Sequence, residues 1–305
     1  MEVTAWLNTW VTSRDIAPRT VESYNSLIRL HIAPALPGLD LAMCRPEQLQ
    51  QLLGRICLDG HIRTAELCYV LLRAAMAAAV RAGLLAESPA ARLIRPAHRA
   101  AKPRWWSEEE QRAFVRATAA SRWSVAWVLA LACGLRRGEL AGLRWQDVDF
   151  NNGLLHICNQ RQRLTGRGVV DCRPKSAAGI RDLPLVGPLP GILRAELQRQ
   201  RAAAAKGAYL PAYVVAGRRN QPIDPHSLNR ALQRDIAGAG LRSINVHGLR
   251  HTMATAAIAE DVSIKVLQAL MGHAHYSTTA DIYAHVPTAK TRAAAAAVSA
   301  ALFVT

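Results

Sequence analysis

The residues best suited to chemistry on an anion lie in one late stretch, residues 246–285, which reads VHGLRHTMATAAIAEDVSIKVLQALMGHAHYSTTADIYAH. His247 and Arg250 are three residues apart, so both side chains lie on one face of a helix. His273 directly follows a glycine that is typical of a helix end, and Tyr283 comes ten residues later. The pattern predicts a histidine, an arginine, a second histidine and a tyrosine at successive helix ends. Such a set suits an anionic substrate.

Two more basic residues stand where the pattern predicts breaks between elements. Arg136 follows a glycine in GLRRGEL at a helix junction, which is a poor place for a solvating arginine and a good one for an arginine that binds an anion. Glu139, one helical turn later, can orient it. Lys175 lies in RPKSAAGIRDLPL, and we interpret the flanking segments 169–172 and 180–185 as a hairpin with this lysine in its loop.

The charge balance points to a polyanionic partner. The chain has 305 residues, with 38 Lys and Arg against 22 Asp and Glu, for a net charge of +16. Its isoelectric point is near 10.5. Half of the residues are hydrophobic, which is enough to build two folded domains. Nucleic acid is the simplest partner for so basic a folded protein.

The sequence also limits where the protein works. Its six cysteines are scattered without any C-x-x-C pair, as expected of small core residues in a reducing compartment. Glu2 and the polar residues after it do not form a signal peptide, and the longest apolar run, 124–135, is too short to span a bilayer. We therefore expect a cytoplasmic protein with no membrane partner.

Residues 1–91 are predicted to form a helical module. Apolar residues at helical spacing mark four amphipathic helices. We expect them to begin near Val3, after a cap at Thr20, at Pro46 and near Thr64. Pro34 is expected to end the second of them.

A basic linker, residues 92–106, is predicted between this module and a second domain, residues 107–305. The linker holds five basic residues, two prolines and no acid between Arg92 and Arg104. A tether of this charge can lie along a phosphate backbone. A capping box at Ser107 predicts the start of the second domain.

Four motifs in this order are similar to those of the tyrosine recombinases, the phage-integrase family: GLRRGEL, the lysine in RPKSAAGIRDLPL, HGLRH, and LMGH followed by STTADIYAH. The chain resembles a two-domain form that lacks an arm-site-binding domain, since only two residues precede the first predicted helix. The resemblance implies a mainly α fold with a small antiparallel β-sheet (α+β). In it, a four-helix SAM-like core-binding domain precedes the tyrosine-recombinase catalytic domain.

The resemblance implies a site-specific DNA recombinase or integrase that cleaves and rejoins DNA through a covalent 3′-phosphotyrosyl intermediate, without metal or ATP. Tyr283 would be the nucleophile. The partner would be double-stranded DNA with specific core sites, bound by a homotetramer at the nucleoid, with accessory DNA-bending or directionality factors. Further DNA contacts are expected from Arg19, Arg95, Arg99, Lys102, Arg104 and Arg144.

The other motif residues take their roles from the same resemblance. Arg136 and Arg250 would hold the scissile phosphate, because two guanidinium groups can bind its equatorial oxygens in a fixed geometry. Lys175 would be the general acid that protonates the leaving oxygen. His247 and His273 would assist phosphate binding and proton transfer.

Asp261 departs from the family pattern, which usually has glycine before the second helix of the motif. An aspartate tolerates the left-handed backbone that glycine adopts there. The ten-residue step from His273 to Tyr283 resembles that of many phage integrases. The alanine-rich end, residues 293–305, is expected to dock on a neighbouring protomer.

Three other interpretations are open at this point. A type IB topoisomerase-like enzyme uses a similar residue set, although the helical amino-terminal module argues against it. A zinc hydrolase would use His247, His251 and His273, but Gly248 stands in the place of the glutamate of H-E-x-x-H. A non-catalytic DNA-binding regulator derived from a recombinase is the third, and the intact residue set argues against it.

Overall fold

Two separate hydrophobic cores divide the chain into an amino-terminal unit, Met1–Lys102, and a carboxy-terminal unit, Pro103–Thr305. The computed structural model describes residues 1–97, 104–174 and 176–273. Within these residues, no helix has both the length and the apolar character needed to cross a bilayer.

The amino-terminal unit is built on four helices whose apolar faces meet in one core. The helices are α1 (Val3–Thr12), α2 (Pro18–Leu27), α3 (Pro46–Leu58) and α4 (Ile62–Arg81). Trp6 of α1 donates from its indole Nε1 to the carbonyl oxygen of Ala75 on α4, 3.0 Å away. This buried bond joins the first helix to the last.

Two prolines change the predicted helix boundaries in this unit. The second helix begins at Pro18 and not after Thr20, because the fixed φ of proline suits the first turn of a helix. Pro34 does not end the helical course. The chain continues through a π-helical turn, Ile28–Ile32, into a short helix, Ala33–Ala35, and Pro34 lies in the first turn of the latter, where the missing N–H is tolerated.

The described part of the carboxy-terminal unit contains α5 (Glu108–Ala117), α6 (Ser124–Cys133), α7 (Arg137–Gly142), α8 (Leu189–Ala204), α9 (Pro225–Gly238), α10 (Val246–Ala259) and α11 (Ile264–Met271). The predicted capping box is confirmed, since Glu110 N donates to Ser107 Oγ at 3.2 Å and Ser107 N donates to Glu110 Oε2 at 2.7 Å. Helix α10 packs along α6. Asp261, between α10 and α11, has a φ of +58°, the left-handed backbone expected there.

Five short strands are found among the described residues between α7 and α8. They are β1 (Val148–Asp149), β2 (Leu154–Ile157), β3 (Gln160–Leu164), β4 (Gly168–Cys172) and β5 (Arg181–Pro184). In a three-stranded antiparallel sheet β2 lies between β1 and β5, and Leu155 is paired with Leu183. Strands β3 and β4 form a separate two-stranded hairpin.

The predicted hairpin between residues 169–172 and 180–185 is wrong. Strand β4 pairs with β3, and β5 pairs with β2. The sequence of β3 is QRQRL, which has no alternation of polar and apolar residues, so periodicity did not predict a strand there. Lys175 falls between β4 and β5 and lies outside the described residues.

Candidate active site

Arg250 lies fully buried on α10, with 0% of the residue exposed. Its Nη1 donates to the carbonyl oxygen of Gly134 at 2.5 Å, and its Nη2 donates to that of Met271. Its Nε has no hydrogen-bond partner among the described residues, so one donor remains available. Gly248 permits close packing at the start of this helix, because a Cβ there would lie only 3.1 Å from the carbonyl oxygen of Arg104.

Arg136 precedes α7, just after Gly134 ends α6 with a φ of +62°. Its Nη1 donates to Glu139 Oε1 at 2.7 Å, and its backbone N donates to Glu139 Oε2 at 2.9 Å. Its Nη2 donates to the carbonyl oxygen of Gly272 at 2.7 Å. About a third of the Arg136 side chain, 34%, is exposed, whereas Glu139 is buried. Glu139 therefore orients Arg136, as the sequence suggested.

Three arginines bind three consecutive carbonyl oxygens at the end of α11, residues 270–272. Arg181 Nε donates to the first at 2.7 Å, Arg250 Nη2 to the second, and Arg136 Nη2 to the third at 2.7 Å. The last carbonyls of a helix have no partners within it and carry partial negative charge, so cations are favoured there. The result is a cluster of guanidinium groups directly before His273, which is buried with 8% exposed.

Arg181 is a residue of the site that the sequence motifs did not single out. Its side chain is 6% exposed, and it binds both carboxylate oxygens of Glu139 at 3.1 and 3.0 Å. The alternation of side chains along the strand could have revealed it. Arg181 and Leu183 are two residues apart on β5 and so share a face, and Leu183 is buried. A charged residue on the buried face of a strand indicates an ion pair.

The histidines near this cluster are held in the neutral form. Desolvation, followed by the charges of Arg250 and Arg136 and the neighbouring His247 and His251, lowers the pKa of His273 to about 4. The pKa of His247 is also lowered, by desolvation, His251, Arg250 and Arg136, although more than a third of this residue is exposed. A neutral imidazole can accept a proton at one nitrogen and donate from the other.

Arg250 is affected in the same way but stays charged. Burial, and next the charge of Arg136, lowers the pKa of Arg250 to about 9. At neutral pH the guanidinium is therefore still protonated. The site thus combines two charged arginines with two neutral histidines, which is an arrangement that attracts an anion and can still move protons.

The zinc interpretation has no geometric support among the described residues. The rings of His247 and His251 meet edge to face, with centroids 4.6 Å apart. No group of three or more His, Cys, Asp or Glu in residues 1–97, 104–174 and 176–273 is arranged to hold a metal ion.

The remaining predicted site residues are distributed as follows. Lys175 and Tyr283 lie outside the described residues, as do Arg99 and Lys102. Arg104 is described and exposed. The structure thus brings together Arg136, His247, Arg250 and His273 from the predicted catalytic set.

Three of the predicted DNA contacts take part in ion pairs. Arg19 pairs with Glu22 at 2.9 Å. Arg95 pairs with Glu66 at 2.5 Å, and Arg144 pairs with Asp171 at 2.8 Å. Each pair lies within one unit, and in each of them the arginine side chain is at least partly exposed, although the carboxylate of Glu66 is buried.

Sequence comparisons identify relatives over most of the chain. The sequence model of the phage integrase family matches residues 107–290. A tyrosine recombinase XerC-like protein of Caldanaerobacter subterraneus subsp. tengcongensis is 28% identical over 313 residues, which cover 94% of this chain and 80% of that protein. The tyrosine recombinase XerC of Mycobacterium sp. (strain KMS) is 32% identical over 225 residues, covering 70% of this chain and 69% of that protein.

Structural comparisons agree. The Tn1549 transposon integrase in complex with transposon right end DNA has a TM-score of 0.82 at 20% identity, over 98% of this chain and 100% of that one. A lambda integrase dimer bound to a COC′ core site has a TM-score of 0.70 at 20% identity, over 92% of this chain and 77% of that one.

The expected α+β fold class is confirmed, and neither the topoisomerase-like enzyme nor the non-catalytic regulator is favoured. The chain belongs to the phage integrase family and is a tyrosine-type site-specific recombinase, an enzyme that breaks and rejoins DNA strands.

Proposed function

We propose that this recombinase cleaves a DNA strand by attack of a tyrosine hydroxyl on phosphorus, which forms a covalent 3′-phosphotyrosyl intermediate and frees a 5′-hydroxyl. The proposed catalytic residues are Arg136, Lys175, His247, Arg250, His273 and Tyr283. The observation that carries the proposal is the convergence of two arginines on the end of α11, directly before His273, which is itself ten residues before Tyr283.

In this mechanism Arg136 and Arg250 bind the non-bridging oxygens of the scissile phosphate. Attack on phosphorus spreads extra negative charge over those oxygens, and fixed cations stabilise it most where water is excluded. Arg136 is partly exposed and so can meet the DNA backbone, while Arg250 is buried and retains its Nε donor. Their bonds to carbonyl oxygens hold both guanidinium groups in place before DNA arrives.

The nucleophile needs help to lose its proton. A free tyrosine has a pKa near 10, so only about one in a thousand is ionised at neutral pH. A neutral His273 or His247 can accept the phenol proton, and the two arginines favour the phenolate that results. The lowered histidine pKa values support this role, because a histidine that was already charged could not act as a base.

Lys175 completes the cycle in this proposal. The 5′-oxygen of deoxyribose is a poor leaving group, and a lysine ammonium that protonates it lowers the barrier to strand cleavage. In the reverse step the 5′-hydroxyl of a partner strand attacks the phosphotyrosine and displaces Tyr283. The covalent bond conserves the energy of the phosphodiester, so rejoining needs no ATP.

The DNA partner and assembly follow from the family. We propose binding to double-stranded DNA with specific core sites as a homotetramer in the cytoplasm, at the nucleoid, with accessory DNA-bending or directionality factors. A lambda integrase tetramer bound to a Holliday junction has a TM-score of 0.68 to this chain, which supports the same assembly here. Residues 1–91 would be the core-binding domain, 92–106 a basic linker along the DNA, and 107–305 the catalytic domain.

Capture of protein-linked DNA tests this function without knowledge of the core site. The purified protein is incubated with sheared host genomic DNA in excess EDTA, denatured in detergent, and the DNA that remains attached to protein is sequenced. We expect enrichment of one short sequence with a unique cleavage position. If DNA is retained before denaturation but none after it, the protein only binds DNA. If EDTA prevents the attachment, the reaction requires a metal ion.

A further inference from the structure

One buried guanidinium, that of Arg181 on β5, joins three parts of the carboxy-terminal unit. Its Nη1 and Nη2 donate to the two carboxylate oxygens of Glu139 on α7, at 3.1 and 3.0 Å. Its Nε donates to the carbonyl oxygen of Leu270 on α11 at 2.7 Å. Its Nη1 also donates to the carbonyl oxygen of Gly179, in the connection from β4 to β5, at 3.1 Å.

Each of these acceptors bears on a proposed catalytic group. The carboxylate of Glu139 accepts hydrogen bonds from both the backbone N and the side-chain Nη1 of Arg136. Leu270 belongs to the last turn of α11, whose next two carbonyls accept from Arg250 and Arg136. Gly179 closes the connection between β4 and β5. A Cβ at residue 272 would lie 2.6 Å from the carbonyl oxygen of residue 178, so residue 178 is packed tightly against the end of α11.

We infer that Arg181 is a positioning residue for strand cleavage, which holds Glu139, the end of α11 and Gly179 in one fixed arrangement and so fixes Arg136. The inference rests on the phosphate-binding role proposed above for Arg136. Arg181 itself does not take the phosphate in its place, because its Nε, Nη1 and Nη2 all donate to protein oxygens, whereas the Nε of Arg250 has no partner among the described residues.

The charge balance around Glu139 gives this role a measurable signature. Burial by itself raises the pKa of Glu139, but the hydrogen bond and charge of Arg181, together with Arg136, hold that pKa below its ordinary value. Arg250, on α10, is the further cation that faces this carboxylate. Without Arg181 the pKa of Glu139 must rise, since the burial remains. Below that raised pKa the carboxyl group is protonated and no longer holds Arg136 by charge.

The test compares Arg181→Gln, Arg181→Lys, Glu139→Gln and the double variant Arg181→Gln/Glu139→Gln with the wild type. The substrate is a nicked duplex that carries the captured core sequence. Single-turnover cleavage is measured from about pH 5 to pH 9, with DNA affinity and melting temperature measured in parallel. Arg173→Gln is the matched control, since Arg173 is an exposed arginine of the same connection.

We expect Arg181→Gln to bind DNA within about threefold of wild type but to cleave about 10²-fold more slowly at neutral pH, the loss typical of a misplaced catalytic group. Its rate is expected to fall further as the pH is lowered, more steeply than in wild type. The double variant should be slow without this extra acid dependence. Arg181→Lys keeps the charge, so it should lack the extra dependence, yet remain at least about tenfold slow because one ammonium cannot reach all the acceptors. Arg173→Gln should match wild type.

Several outcomes overturn the inference. A wild-type rate and pH profile in Arg181→Gln would do so. So would a loss of rate in Arg181→Gln that is the same at every pH and unchanged in the double variant Arg181→Gln/Glu139→Gln. If Arg181→Gln does not fold, Arg181→Lys decides the matter, and a wild-type cleavage rate in it refutes the positioning role. If the wild-type protein itself forms no adduct, the proposed function has failed, and the outcome is distinct from a failure of this inference.

Discussion

Arg136 donates to the carbonyl oxygen of Gly272 at 2.7 Å, which joins the start of α7 to the residue that ends α11. The contact lies one residue before His273, so a proposed phosphate ligand and a proposed proton carrier are positioned by the same bond. Because Arg250 binds the preceding carbonyl oxygen, both arginines take their positions from one helix end. The end of α11 therefore positions both arginines of the site.

Gly272→Ala is expected to displace the end of α11 and the two arginines that bind it. Gly272 has a φ of +60°, and a Cβ would lie 2.6 Å from the carbonyl oxygen of Ala178. The strained backbone should cost about 1–3 kcal/mol of stability, and cleavage should fall at least about tenfold through displaced arginines. Thermal melting and single-turnover cleavage measure the two effects. Gly240→Ala is the control, since Gly240 has a φ of +66° with open space around its Cβ. Equal cleavage in both variants would contradict the positional argument.

Acid should destabilise the wild type through His273. The pKa of His273 is about 4 in the folded protein, below the ordinary value of 6.5, so the unfolded chain takes up the proton first. The stability that comes from neutral His273 is complete above pH 6.5 and is lost as the pH falls toward 4. Between pH 7 and 5 the loss should be about 2 kcal/mol.

Urea unfolding of wild type and His273→Gln at the two pH values measures this loss. The variant should lose less stability on acidification, by roughly the amount given above. A parallel loss in both proteins would show that His273 titrates normally in the folded state.

Local chemistry explains what the sequence could predict. The left-handed backbone at Asp261 was expected from the resemblance to the family pattern. The capping box at Ser107 and the orientation of Arg136 by Glu139 depend only on residues within one helical turn. Such short-range patterns keep their meaning in any fold, which is why they could be predicted from residue types and spacing alone.

Long-range pairing explains what could not be predicted. Arg181 has its importance from Glu139 and Leu270, which are distant in sequence and meet it only after β5 has paired with β2. Strand β3 is polar and has no periodicity to mark it. It pairs with β4, the strand for which residues 180–185 were the predicted partner. The alternation along β5 marks Arg181 as facing the core, but it does not identify the partners of Arg181, and β3 has no signal within a window of a few residues.

DNA affinity should depend steeply on salt. With a net charge of +16, contacts to about 6–10 phosphates would weaken binding by roughly 10³–10⁵-fold between 50 and 200 mM salt. Arg104→Ala should reduce the slope of log affinity against log salt by about one if this exposed arginine meets a phosphate. Gel-shift titrations over a range of salt measure both. A nearly flat response in the wild type would contradict the electrostatic account of binding.

Lys175 should matter only while the leaving oxygen needs a proton. Replacing the scissile 5′-oxygen by sulfur gives a group that departs readily as a thiolate, because thiols are far more acidic than alcohols. We expect Lys175→Ala to be strongly impaired on normal DNA and largely restored on the sulfur-substituted strand. Arg136→Ala should not be restored, because it stabilises the charge on the non-bridging oxygens whichever group departs.

Arg173→Ala is the control for the assignment of this lysine. It should cleave both substrates like the wild type, as expected of an exposed residue near Lys175. Rescue by sulfur in Arg173→Ala and not in Lys175→Ala would show that the acid has been assigned to the wrong residue. If no variant is rescued, His247 is the next candidate for the acid.

Identification of the DNA-linked residue tests the central claim most directly. The adduct formed on the nicked core duplex is digested with protease and nuclease, and the modified peptide is sequenced by mass spectrometry. We expect the nucleotide on Tyr283 and no adduct from Tyr283→Phe despite unchanged DNA affinity. Tyr276, the other tyrosine between His273 and Tyr283 in the sequence, is the control, and Tyr276→Phe should give a normal adduct. A nucleotide on Tyr276, or an adduct that persists in Tyr283→Phe, would contradict the assignment of the nucleophile.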